Sequence, residues 1–287
     1  MVVLTEQNMN ELEQGAAKAR EVIINTVYKV GAGHLGGPLS ATDILTALYN
    51  QVLNIDPKNP DWEQRDRFVL SKGHSAIALY TVLALRGYFP VEEMETFDGM
   101  QSRLQAHPDK DLLPGLDMST GSLGQGISTA VGMALGAKLK GDSFMTYCMI
   151  GDGESQEGQM WEAADVAAKY KLDNLIVIMD YNKLQQYGWA GEEEARLNPI
   201  QNPEIKWKAF EWDVTTINGH SMKEIIDACQ KAKKTVGKPT IIIANTVKGK
   251  GVHFMENNYL WHSKVPTEEE YAVSIKEISK GGLNHDS

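Results

Sequence analysis

The sequence predicts an α/β fold: a doubly wound, mainly parallel sheet with helices on both faces. Five short runs rich in apolar and β-branched residues, near 68–71, 145–150, 175–180, 212–217 and 240–245, alternate with segments of helical periodicity. The second observation is a compact stretch of that alternation between Phe144 and Leu184. An apolar run breaks into Gly151-Asp152-Gly153, a helical pattern follows from about Glu157 to Tyr170, and a second apolar run, Leu175 to Met179, ends at Tyr181-Asn182. This is a βαβ unit. A right-handed crossover places Asp152 and Asn182 at one carboxyl edge of a parallel sheet, where open α/β sheets bind ligands.

The remaining elements are predicted around this unit. Asn10 with Glu13 reads as a capping-box-like start, and Leu12, Ala16, Ala19, Ile23, Val27 and Val30 mark one face of a helix ending at Gly31. GAGHLGG follows and matches G-x-G-x-x-G letter for letter. That dinucleotide fingerprint must leave a strand and open a helix, whereas here it leaves a helix and precedes Pro38, so the context excludes a nucleotide site. Ser40 and Asp43 are expected to begin the next helix, with Ile44, Leu45 and Leu48 facing a core. RDRFVLSKGHSAIALYTVLALRGY reads as a strand, a turn carrying His74 and a buried helix with Gly87 as its C-cap. The next helix is crowded with Gly124, Gly126, Ala130, Gly132, Ala134 and Gly136. Each glycine costs about 1 kcal/mol of helix propensity relative to alanine, which calls for close backbone approach as compensation. Glu192 to Glu194 reads as a surface charge run. Beyond it come a strand, Trp212 to Ile217, a turn in which His220 caps the amphipathic helix Ser221 to Lys234, and the buried strand PTIIIANT. Residues 1–279 are expected to form one domain and 280–287 a disordered tail.

Composition narrows the class of function. The chain has 287 residues, 42% of them hydrophobic, enough for a substantial core, and a formal charge of −10. That balance, with no basic stripe, argues against nucleic-acid and anionic-membrane partners. No apolar run approaches the ~18 residues of a membrane span, and the opening MVVLTEQNMN lacks a secretion signal, so a cytoplasmic location is expected. Cys148 lies in a strand and Cys229 on a helix, without metal or redox spacing.

The chemistry is carried by oxygen ligands. By itself Gly-Asp-Gly is a turn after a strand. Asp152, Asn182 and a loop carbonyl such as that of Leu184 together make a hard, half-open site whose remaining positions suit phosphate oxygens and water, as magnesium prefers. The helix N-terminus near Glu157 would add backbone N–H groups for an anion. These observations describe a magnesium diphosphate site.

Gly-Asp-Gly followed by a helix, a strand and Asn182 resembles the thiamine diphosphate-binding signature, and GDGESQEGQMWEAA resembles its transketolase version. AGHLGGPLSATDILTALY, RDRFVLSKGH, QAHP, STGSLGQG and TVKGKGVHFMENNYLWH are similar to further transketolase segments. The resemblance implies thiamine diphosphate with Mg2+, for which Ca2+ or Mn2+ could substitute, held through Asp152, Asn182 and Leu184. It implies cofactor contacts from His74, Gly121, Leu123, Gly153, Glu154, Lys248 and His262. His34, His107 and His262 would face the transferred ketol, and Glu157 would link two cofactor sites across an interface. The reaction implied moves a two-carbon ketol unit from a ketose phosphate to an aldose, a histidine taking a hydroxyl proton as the C–C bond breaks.

The resemblance runs from about Leu12 to Pro266, but only to the N-terminal part of a transketolase. It therefore implies a partner chain carrying the pyrimidine-binding and C-terminal domains, in an α2β2 assembly. Leu35, Ala106 and Ser263 depart from the usual proline, glycine and glycine, and Gln186 stands where an apolar residue usually lies against the thiazolium. These departures make a modified ketose, deoxy, branched or sulfonated, the alternative to an ordinary sugar phosphate. A cofactor-binding subunit without turnover is the alternative of another class.

Overall fold

The computed structural model describes residues 5–186 and 199–281. Its elements run α1 (Glu6–Val30), α2 (Gly36–Ala47), β1 (Arg67–Leu70), α3 (Ala76–Leu85), α4 (Gln125–Lys140), β2 (Thr146–Gly151), α5 (Gly158–Lys169), β3 (Leu175–Tyr181), α6 (Pro203–Ala209), β4 (Asp213–Asn218), α7 (Met222–Ala232), β5 (Thr240–Asn245) and α8 (Glu268–Gly281). All five strands fall within a residue of their predicted places. They form one parallel sheet in the order β1-β2-β3-β5-β4.

The period of the strands explains the layers. Tyr147 and Met149 of β2, with Ile176 and Ile178 of β3, join the core under α1, α2, α3 and α7. The intervening Cys148, Ile150, Val177 and Met179 join the core under α4, α5 and α6. Both cysteines are buried, and burial pushes the Cys229 thiol up to about 12.

At the β1 edge two of the outward backbone groups are occupied. Asp117 accepts the Phe68 N–H at 2.8 Å and pairs with Arg65 at 2.7 Å, while the Thr120 hydroxyl donates to the Leu70 carbonyl at 2.7 Å.

Several helix ends differ from expectation. α1 starts at Glu6 rather than Asn10, because Thr5 and Asn8 make the capping box, with Asn8 N–H on Thr5 Oγ1 at 3.2 Å and Thr5 N–H on Asn8 Oδ1 at 3.3 Å. α2 opens a turn earlier than Ser40, at Gly36. The cap of α3 is Arg86, with Gly87 one residue beyond at φ 87°. His220 does not cap α7, since Ser221 accepts the Glu224 N–H there. α8 was not expected. Thr267 and Glu270 exchange hydrogen bonds of 3.2 and 2.9 Å at its start, so Lys280 is helical rather than the beginning of a tail. Residues 282–287 and the Glu192 to Glu194 run lie outside the described residues.

The glycines of α4 divide into two kinds. A Cβ on Gly126 would lie 2.6 Å from Ser71 Oγ and 2.7 Å from Ser71 Cα, so here helix and strand end touch backbone to backbone. Gly132 and Gly136 meet nothing within 4 Å. Gly126→Ala is therefore expected to destabilise the isolated chain by about 1–3 kcal/mol through overpacking. Gly132→Ala should stabilise it by about 0.5–1 kcal/mol through helix propensity. Urea denaturation midpoints of the two variants check both signs.

Candidate active site

The carboxyl ends of four parallel strands converge on one cavity. β1 delivers Ser71, Lys72 and His74; β2 delivers Asp152, Gly153 and Glu154; β3 delivers Asp180, Asn182 and Leu184; and β5 leads to Thr246 and Lys248. The cavity holds about 730 Å³. Every residue that the sequence marked for catalysis, cofactor or metal lines it: His34, His74, His107, Gly121, Leu123, Asp152, Gly153, Glu154, Glu157, Asn182, Leu184, Gln186, Lys248 and His262. Glu157 and Gln186 are exposed at its rim.

The oxygen ligands sit at its floor. Asp152 is 2% exposed, and its carboxylate accepts the N–H groups of Gly153 at 2.8 Å and of Lys183. Burial, with the neighbouring charge of Asp180 adding to it, pushes its pKa up to about 7. Asn182 Oδ1 accepts the Leu184 N–H at 3.1 Å, and the Leu184 carbonyl faces Lys248 Nζ at 3.4 Å. One buried, under-compensated carboxylate with an amide and a carbonyl oxygen beside it is the donor chemistry of a hard cation. Among the described residues, no group of three or more His, Cys, Asp and Glu side chains forms a metal cluster, in keeping with a set that holds only one such residue.

An anion cradle stands next to these oxygens. α2 has no side-chain N-cap, so its first turn presents free N–H groups at Gly36 and Gly37. Around Gly37, the place a Cβ would fill lies 3.2 Å from Ser75 Oγ, 3.3 Å from His74 Nε2 and 3.4 Å from Lys72 Nζ. The Ser75 hydroxyl is buried without a hydrogen-bond partner. Donors converging on a space that only glycine leaves open suit phosphate oxygens. Lys248 adds a second ammonium, which burial brings down to about 8. α5 begins where expected, at Gly158 with Glu157 as its N-cap on the cavity rim, and a 3₁₀ turn, Gly153–Gln156, stands between it and Asp152.

Four imidazoles fill the upper part. Ring centroids separate His34 from His262 by 5.2 Å, from His74 by 5.5 Å and from His107 by 6.4 Å, and His74 from His262 by 5.1 Å. Burial lowers His34 to about 4, with the charge of His107 adding, and lowers His262 to about 3, with Lys248 adding; His74 is also held well below its usual range, chiefly by burial. Within the bare cavity His34, His74 and His262 are thus held neutral.

Glu154 faces the frame as well as the cavity. Its carboxylate accepts Ser71 Oγ at 2.5 Å, Gly124 N–H at 2.8 Å and Gly151 N–H at 3.0 Å, tying the ends of β1 and β2 to the start of α4. Burial acts to raise its pKa. Lys72, Asp180, Gly37 and Ser75 were not singled out from sequence. The readable signal was Asp180, a carboxylate closing an otherwise apolar strand, and Lys72 within the SKGH segment.

Comparison with known proteins agrees with this geometry. The family model for "Transketolase, thiamine diphosphate binding domain" matches residues 12–280. The chain is 45% identical over 279 residues to the 6-deoxy-6-sulfo-D-fructose transketolase subunit SqwG of Clostridium sp. (strain MSTE9), covering 97% of this chain and 100% of that one. It is 42% identical to an apulose-4-phosphate transketolase subunit of Phocaeicola vulgatus, covering 94% of each. The crystal structure of Campylobacter jejuni transketolase superposes with a TM-score of 0.85 at 32% identity, covering 96% of this chain but 45% of that one. Mouse transketolase, 38% identical, is likewise covered over 43% of its length. A cavity at the strand ends and a family match along almost the whole chain lead to one conclusion: this chain belongs to the transketolase family and contains its thiamine diphosphate-binding domain.

Proposed function

We propose that the chain is the cofactor-binding subunit of a two-chain transketolase that transfers a two-carbon ketol unit from a modified ketose to an aldose. One observation carries the reading. Along 94–97% of its length the chain matches relatives named as subunits, yet it spans under half of undivided transketolases, while all the residues expected to face the cofactor share one cavity. Of the two substrate readings drawn from the sequence, the modified ketose is favoured, because those relatives are named for 6-deoxy-6-sulfo-D-fructose and apulose-4-phosphate. Among the described residues no helix is long and apolar enough to cross a membrane, and we place the assembly in the cytoplasm as two copies of each chain.

In this reading Asp152, Asn182 and the Leu184 carbonyl hold Mg2+. The first turn of α2, with His74, Ser75, Lys72 and Lys248, holds the diphosphate, and Gly121, Leu123, Gly153, Glu154 and Gln186 border the rest of the cofactor. Bound thiamine diphosphate supplies the carbon nucleophile and electron sink for C–C cleavage. The chain supplies orientation and proton transfer. His34, His107 and His262 face the open half of the cavity and hold the hydroxyls of the ketol unit. His34 and His262, kept neutral by burial, each offer an unprotonated nitrogen to the hydroxyl proton released as the bond breaks. Glu157, at the rim, faces the partner and couples paired sites.

Asp152→Ala is expected to abolish magnesium-dependent thiamine diphosphate binding, since the site loses its only carboxylate; calorimetry with Mg2+ present measures this, and unchanged affinity in a folded variant overturns the assignment. The raised pKa of Asp152 also predicts a pH dependence. Its folded value, about 7, exceeds the ordinary 3.8, so the protonated form stabilises the metal-free chain fully below about pH 4, and that contribution is lost as pH rises to about 7. Melting curves of wild type and Asp152→Ala should therefore diverge across that window, and Mg2+ with cofactor should remove the loss above it.

A further prediction concerns the partner. Supplied with thiamine diphosphate and Mg2+, the chain alone should show no ketol transfer from a panel of phosphorylated and sulfonated ketoses. Activity should appear on adding a second chain that carries a pyrimidine-binding domain. Robust turnover by the single chain would remove the two-chain reading.

A further inference from the structure

His220 lies in the turn between β4 and α7, with its own N–H on Asn218 Oδ1 at 3.0 Å. Its ring reaches across the fold. Nδ1 stands 2.6 Å from Asp43 Oδ2, and Nε2 accepts the Val247 N–H at 2.8 Å. A ring nitrogen that accepts a backbone N–H carries no proton, so the proton is on Nδ1 and is donated to Asp43. Asp43 belongs to α2, is 5% exposed and is gripped by Arg20 of α1, Nη1 at 3.0 Å.

Val247 immediately precedes Lys248. On the other side, Gly249 donates its N–H to the Gly36 carbonyl of α2 at 3.0 Å, and the Lys248 carbonyl accepts the Asn257 N–H at 2.9 Å. Gly36 also leaves room for the lysine stem, since an added Cβ would lie 2.8 Å from Lys248 Cγ. The peptide of Lys248 is thus anchored on both sides to α2, once directly and once through His220 and Asp43. Its ammonium meets His262 Nδ1 at 3.1 Å and the Leu184 carbonyl at 3.4 Å. A lysine side chain carries ~2 kcal/mol of rotamer entropy, so that placement depends on a fixed backbone.

We propose that His220 is a positioning residue: with Asp43 it clamps the Val247 peptide to α2 and thereby aims Lys248, and His262 beside it, into the cofactor cavity. Its effect on binding rests on the cofactor reading given above, whereas its effect on the backbone does not. A ring that merely filled space would leave Val247 protected when replaced by another side chain of similar volume.

Hydrogen exchange on the full chain, followed by mass spectrometry over residues 246–250, tests the clamp. His220→Ala and the volume-filling His220→Met should exchange faster there, with protection of α2 retained. His220→Gln, whose amide offers a donor to Asp43 and an acceptor to Val247, should restore the wild-type rate. Wild-type exchange in His220→Met, or exchange in His220→Gln as fast as in His220→Met, overturns the proposal. With the partner chain and Mg2+ present, thiamine diphosphate titrations followed by tryptophan fluorescence should show about tenfold weaker affinity in His220→Met, the scale of an orienting partner. Added to Lys248→Ala, His220→Met should cost nothing further; additive losses overturn the route through Lys248. Failure of wild type to bind the cofactor would count against the function proposed above, while the exchange result would still decide the clamp.

Discussion

The ion pair of Lys72 and Asp180 sits where the layers meet. Both side chains are almost fully buried, and four elements meet at it. Lys72 leaves β1, Asp180 ends β3, Ser40 of α2 donates to the aspartate at 2.6 Å, and Thr246 after β5 donates to it as well. Burial would raise the pKa of Asp180, but the adjacent ammonium and the Ser40 and Thr246 hydroxyls together outweigh this and hold it below the usual range. Buried pairs of this kind add little net stability compared with apolar side chains, yet losing one partner strands a charge at a cost of about 3–5 kcal/mol. Such a contact selects one arrangement. It fixes how far the strand ends protrude and which face of α2 meets them, and so fixes the shape of the cavity floor.

The cavity above that floor has uncompensated charge of both signs. Asp152 is a carboxylate without a cation at hydrogen-bond distance, and its burial favours protonation near neutral pH. Across the same cavity Lys248, in no ion pair among the described residues, and the N-terminus of α2 favour negative charge. The magnesium diphosphate proposed above would satisfy both demands together, the cation neutralising the carboxylate and the phosphates the ammonium. The same argument applies to His34, His74 and His262. Their depressed proton affinities reflect burial among cations, so the cavity holds proton acceptors in reserve until negative charge enters it.

Most of this architecture was legible because it is written locally. β2, β3 and β5 are near-continuous apolar runs, as expected for strands covered on both faces, and the βαβ unit fixes the placement of Asp152 relative to Asn182 without any long-range information. What escaped was pairing at a distance. His220 sits in a turn before an amphipathic helix, a position that locally suggests a cap, but its partners are Asp43, far earlier in the chain, and Val247. Lys72 and Asp180 reside in segments that were recognised, yet no periodicity indicates that they meet. α8 is a different case. Its T-x-x-E signature at Thr267 and Glu270 and an apolar stripe of Tyr271, Ile275 and Ile278 were present, but nothing local names the surface that the stripe meets, which is α1, with Tyr271 stacked on Tyr28 at 4.0 Å. The early start of α1 was missed because Thr5 closes its box with Asn8 rather than with the Glu or Gln that marks the usual signature.

The segment around Asp117 and Thr120 also covers part of an edge of the sheet. A parallel sheet has two margins, and an exposed margin recruits strands from other molecules. Along β1 the outward N–H of Phe68 and the outward carbonyl of Leu70 are already engaged by Asp117 and Thr120. β1 is only four residues long. Two of the four groups that Phe68 and Leu70 turn outward are therefore unavailable to a foreign strand, and a paired carboxylate and guanidinium stand beside them. That margin offers an interrupted ladder, rather than a continuous one, to templated growth.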